Sequence, residues 1–178
     1  MKKLILVYVP LFLTVLSSTA QGPDFSKEVK AKVADFDFMI GTWTGTGEMM
    51  MPGGSSTSNV TEVISYKAGE TAIQMEGLGT ITLPSGEKQV VHDALGVLSY
   101  DFFKKQYKLY TFISKGMQTQ ADIELKGEGH AVWWIKAGPQ GTIRYTIKVV
   151  DGKWNEIGER SQDGENWTKF FEMNLVRE

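Results

Sequence analysis

The chain has 178 residues, of which 42% are hydrophobic and 22% charged, with no cysteine and a formal net charge of −2. The acidic balance argues against a surface that tracks nucleic-acid phosphates, which needs a basic face. The missing thiols exclude disulfide staples, thiolate metal sites and cysteine catalysis, and with only two histidines, His92 and His130, no multi-histidine metal centre is expected.

Lys2 and Lys3 precede an apolar run, Leu4 to Leu16, which leads into the small residues Ser17, Ser18, Thr19 and Ala20. A positive start, a hydrophobic middle and small residues at the end form the three-part pattern of a cleavable secretory signal. The apolar run is about 13 residues long, whereas a spanning helix needs about 20. The expected cut lies between Ala20 and Gln21, so the mature chain is expected to be exported, periplasmic or secreted, with no membrane span. From Gln21 onward the chain has the size of one domain and is long enough for a core without staples.

Residues 21–40 are expected to form a helix and plug segment. Val29, Val33, Phe36 and Ile40 recur at near-helical spacing between charges, which predicts a short helix over 26–36. From Gly41 onward the pattern changes to alternation broken by turns at short intervals. Strands are predicted over 43–51, 57–66, 71–83, 88–100, 107–114, 117–126, 130–137, 142–150, 153–161 and 167–177. Asp151-Gly152, between two alternating runs, is a strong short-hairpin signal. The connections are too short for crossover helices, so the strands must be antiparallel and sequential. A flat open sheet of that many strands leaves two long edges, and closure removes them. The expected fold over 41–178 is therefore all-β: an antiparallel up-and-down barrel of about ten strands with one short N-terminal helix capping one end. A β-sandwich is the alternative.

The segment Phe36-Asp-Phe-Met-Ile-Gly-Thr-Trp-Thr-Gly-Thr-Gly47 places Gly-x-Trp-x-Gly-x-Gly at the opening of the first strand. This resembles the entry to small calycin barrels: lipocalins, fatty-acid-binding proteins and nitrobindins. Together with Glu76-Gly-Leu-Gly79, Leu95 to Asp101 followed by Tyr107, and the closing strand 167–176, the chain looks most like bacterial lipocalin-like domains. The resemblance runs over most of residues 35–178. It implies a barrel blocked at one end by the N-terminal segment and open at the other. Nitrobindins place a histidine from a late strand on haem iron, but the last strand here has none; no cofactor or metal is expected.

The residues expected to line the cavity are Trp43, Met75, His92, Tyr110, Trp134, Arg144, Glu156 and Arg160. Trp43, flanked by glycines, is read first as a seal across the barrel floor. Trp133 and Trp134 must face opposite ways, as adjacent strand residues do. Glu156 and Arg160 share a face with Trp154 and Gly158, and Arg144 is placed opposite them as a polar handle for a ligand carboxylate; the alternative is a set of cross-strand pairs on the wet face. No nucleophile elbow, phosphate loop or zinc-protease motif occurs. The expected function is non-catalytic binding of a small apolar or amphipathic molecule. An isomerising or detoxifying barrel, with His92 or Glu156 as the titratable group, is the enzyme alternative, and it includes the haem-dependent chemistry that the resemblance to nitrobindins implies. A filled barrel acting through its outer face in the cell envelope is the third.

Overall fold

The structure, a computed structural model, describes residues 22–178, so the expected signal and its cleavage site lie outside the described residues. Helix α1 (Ser26–Val33) runs into a 3-10 segment, Ala34–Met39, and then into the strands. These are β1 (Gly41–Met51), β2 (Gly54–Lys67), β3 (Ala72–Thr82), β4 (Lys88–Asp101), β5 (Gln106–Ile113), β6 (Gln118–Gly127), β7 (His130–Lys136), β8 (Thr142–Val150), β9 (Lys153–Ser161) and β10 (Thr168–Arg177). Each strand pairs antiparallel with its sequence neighbours, and β1 pairs with β10, so the ten strands close into an up-and-down barrel. The helix is one turn shorter than its apolar spacing suggests because Phe36 leaves helical geometry (φ −106°, ψ 16°). That kink lets Phe36 and Met39 turn into the barrel end, where both are fully buried.

Two local features account for closure. Asp151 and Gly152 both take positive φ (49° and 70°), as a tight hairpin between right-twisted strands requires. At Gly45 the backbone of β10 comes so close that a Cβ would lie 2.1 Å from the Asn174 carbonyl oxygen. Only glycine admits that approach, and the approach is the β1–β10 seam itself.

The core is concentrated at the end of the barrel that the N-terminal segment covers. Val33, Phe36, Met39, Trp43, Ile73 and Leu98 are the largest fully buried side chains. Trp43 lies across this floor: its indole Nε1–H donates to the Met39 carbonyl at 2.8 Å, and its ring meets Trp154 edge-on at 5.4 Å. The Arg177 guanidinium covers the Trp43 ring at 4.4 Å and donates to the Phe38 carbonyl at 2.8 Å, tying the end of β10 to the cap. Burying a Trp and a Phe side chain stabilises the floor by about 2–3 kcal/mol each. The outer rim of the cap adds a Phe25–Phe102 stack, with Lys105 over the Phe102 ring.

Candidate functional site

Away from the floor the barrel interior changes character. Strand alternation aims Glu62 inward between Val60 and Ile64, and Glu156 inward between Trp154 and Gly158. Trp133, Tyr145 and Phe171 face the same space from β7, β8 and β10, with Met75 from β3 and Ile135 from β7. All five are only half-buried although their strands aim them inward. A tightly packed interior would bury them fully, so this half of the barrel is closed less tightly than the floor.

Glu156 stands at the boundary between floor and lumen. Its carboxyl is buried and accepts two indole N–H bonds, from Trp133 and from Trp154, each at 3.3 Å. Burial pushes its ionisation up to about 7, and the two indole donors pull only partly against it. Glu62 is surrounded by protein on nearly every side, yet its half-buried side chain keeps contact with lumen space. Burial, and then repulsion from Glu156, pushes it up to about 8. No described residue donates a hydrogen bond to Glu62. Its Oε1 occupies the volume a side chain at position 77 would take, since a Cβ on Gly77 would lie 2.7 Å away. Glycine at 77 therefore makes room for the carboxyl.

Beside Glu156 stands an aromatic wall. Trp133 and Tyr145 stack at 4.1 Å with 11° between their planes, and Phe170 and Phe171 meet Tyr145 edge-on at 5.9 and 6.2 Å. Gly158 lets this wall close up, since a Cβ there would press on Tyr145, Phe171 and Phe170 at 2.9–3.2 Å. Burial, then Glu156, pushes the Tyr145 phenol up, so it stays protonated and can donate. The arrangement offers two carboxyls, a phenol and flat apolar surface in one space. It can grip hydrogen-bond donors and a planar ring, or pass a proton at near-neutral pH.

The structure divides the residues expected to line the cavity into three groups. Glu156 and Met75 lie in the lumen, with Trp43 beneath them in the floor. His92 and Arg160 have lumen-facing parity but stand exposed towards the open rim, with His92 packed beside Gly79. Tyr110, Trp134 and Arg144 face outward, contrary to expectation. Each alternates with an inward neighbour, respectively Leu109, Trp133 and Tyr145. On the outer wall Arg144 pairs with Glu159 at 2.7 Å and covers Trp167 at 4.0 Å, while Lys126 covers Trp134 at 5.4 Å. Arg144 is thus no partner of Glu156, and it offers no handle inside the lumen.

Glu62, Trp133, Tyr145 and Phe171 were not among the expected lining residues. The signal for Glu62 is its alternation with Val60 and Ile64, two apolar residues on one strand face. The signal for Trp133 is its parity with Ala131 and Ile135.

No family model matches the chain, and no curated protein does. Solved structures do. Rv2717c from M. tuberculosis superposes with a TM-score of 0.59 at 10% identity, covering 82% of this chain and 96% of that one. The S-type phycobiliprotein lyase CPES from Guillardia theta superposes with a TM-score of 0.55 at 13% identity, covering 88% of this chain and 98% of that one. Both superpose over nearly their whole length, and the ten-strand barrel is the architecture this chain shares with them.

Proposed function

We propose that the chain is exported and that the open half of its barrel holds a small amphipathic molecule without transforming it. The observation that carries this reading is the set Trp133, Ile135, Tyr145, Phe171 and Met75, inward-facing side chains that are only half-buried. Unfilled apolar surface with a few convergent polar groups is what small-molecule sites present. That a phycobiliprotein lyase shares the fold accords with a barrel that handles a small molecule, and the polar rim, with the Arg160 guanidinium and the His92 imidazole, suits a ligand with one polar end. The test is native mass spectrometry of the purified protein, before and after organic extraction, followed by titration with an uncharged naphthylamine dye. Binding is expected to quench tryptophan fluorescence in the wild type and to weaken in Trp133→Ala. A protein that carries nothing and leaves the dye free would sink the reading.

The near-neutral ionisations of Glu156 and Glu62 favour one second reading, an enzyme in which one acid donates and the other accepts a proton. It predicts that bound molecules come back chemically changed after extraction, and that Glu156→Gln abolishes the change. Unchanged ligand leaves the binding reading in place.

A further inference from the structure

The acids of the lumen have no cation of their own. Neither Glu62 nor Glu156 takes part in an ion pair among the described residues; those pairs lie on the wall, at the cap and in the loops. Of the arginines with inward parity, Arg177 is held over the Trp43 ring in the floor, and Arg160 is four residues further along the strand than Glu156, about 13 Å at strand rise, and exposed. Glu156 has its two indole donors, but Glu62 has no donor among the described residues, although protein surrounds it and Gly77 is kept bare beneath its oxygen. Its side chain keeps some exposure, so water reaches the carboxyl, but protein on most sides weakens that solvation, and a donor entering the lumen would make up for it. The second observation is the wall. The Trp133–Tyr145 stack stands beside Glu156, to which Trp133 donates, and it faces the lumen from the side of the barrel opposite the strand that carries Glu62. Flat rings beside carboxylates form the pairing that recognises a planar cation, through charge-assisted hydrogen bonds on one side and ring-face attraction on the other.

We propose that the lumen selects a planar aromatic cation, an amidine, guanidine or protonated ring amine, whose N–H groups donate to Glu62 while its ring lies against the Trp133–Tyr145 wall. This rests on the binding reading above and names the class of ligand. A fatty acid, the other familiar occupant of small barrels, would set its carboxylate against two acids or at the exposed rim. A neutral apolar ligand would leave Glu62 desolvated and unpaired.

Three probes of one shape test it: p-aminobenzamidine, p-aminobenzamide and p-aminobenzoate, titrated by their own fluorescence and by calorimetry. The amidine is expected to bind at least about tenfold more tightly than the amide, and the benzoate weakest. In Glu62→Gln the preference for amidine over amide is expected to collapse, with near-ultraviolet circular dichroism showing that the variant is folded. Glu156→Gln, which keeps an acceptor for the indoles, is expected to reduce the preference only in part. If the three probes bind alike, or the preference survives in Glu62→Gln, the proposal is overturned, while binding of the uncharged naphthylamine dye keeps the broader reading alive. If neither the probes nor the dye bind, both fall.

Discussion

Replacing Glu62 with glutamine removes a charge that the folded state resists and keeps the shape of the side chain. In the folded protein the ionisation of Glu62 moves from 4.5 to about 8. Below pH 4.5 the side chain is protonated in both folded and unfolded chains, and no penalty acts. As the pH rises past 4.5 the unfolded chain loses the proton and the folded one keeps it, so stability falls; the fall ends once the folded carboxyl also ionises, near pH 8. At about 1.4 kcal/mol per tenfold difference in proton affinity, the full effect is about 5 kcal/mol. Because the side chain is only half-buried, lumen water offsets part of it, and a loss of about 2–4 kcal/mol between pH 5 and pH 9 is expected. Glutamine has nothing to ionise. Glu62→Gln should therefore match the wild type within about 1 kcal/mol at pH 5 and exceed it by about 2–4 kcal/mol at pH 9. Urea unfolding followed by tryptophan fluorescence at the two pH values measures both differences. Glu156, with its ionisation near 7, keeps some slope in the variant, so the comparison is between slopes. Equal differences at pH 5 and pH 9 would refute the assignment of Glu62 as a half-buried acid whose charge the folded state resists.

Three further outcomes are expected from the geometry. Trp133→Phe deletes one of the two N–H donors to Glu156 while leaving a ring against Tyr145; a loss of about 1–2 kcal/mol is expected, with the Glu156 ionisation pushed further up, as carbon NMR of the carboxyl would read. No change in that titration would break the link between indole and acid. Gly45→Ala puts a methyl 2.1 Å from the Asn174 oxygen, so β1 and β10 must part, and a loss of about 3 kcal/mol or more is expected by thermal unfolding; a variant of wild-type stability would show that the seam is not closed there. Expression of the full chain in a bacterial host should yield an exported product whose amino-terminal residue is Gln21, and a product that retains Leu4 to Leu16 would refute the signal.

Much of the barrel can be read from alternation alone. The predicted bounds of β8 and β9 coincide with the observed ones, Thr142–Val150 and Lys153–Ser161, because Asp151-Gly152 pins the hairpin between them. The N-terminal turn is harder: the 3.6-residue spacing carries through Phe36, but packing of Phe36 and Met39 into the barrel end overrides it with a kink. The site is legible only by half. Alternation sorts each strand into two faces, yet it names the inner face only where one is plainly apolar. In β9 the inner face carries Trp154, Glu156 and Gly158, and the tryptophan marks it. In β8 the sequence Thr-Ile-Arg-Tyr-Thr-Ile-Lys puts isoleucines on both sides of Arg144, and the buried Ile147 shares its face with Tyr145; that parity outweighs the appeal of a charge as a ligand handle. In β7 each face carries one tryptophan; parity with Ala131 and Ile135 favours Trp133, and the register with Tyr145 and the contact with Glu156 decide that it is the inner one. Glu62 escapes a reading by sequence because a charge among valine and isoleucine looks like an interruption of the core, and nothing local shows that its partner strand offers glycine at 77.

The two halves of the barrel pull in opposite energetic directions. At the covered end, Trp43, Phe36, Met39 and Ile73 are fully buried, and the Trp43 indole is matched by the Met39 carbonyl and the Arg177 guanidinium by the Phe38 carbonyl. At the open end the chain retains half-buried rings, bare glycines at 77 and 158, and two acids that repel each other. A sequence under selection for stability alone would fill that space with leucine and replace Glu62 by an apolar residue, gaining several kcal/mol. The open end instead holds an arrangement that becomes favourable only when a donor enters it. A ligand that satisfies Glu62 would remove the very penalty that the pH dependence of the empty barrel reports. Bound and empty protein should therefore differ most in stability where the acid is ionised, above pH 8, and least near pH 5. That coupling separates a lumen built for a cation from one that merely has room.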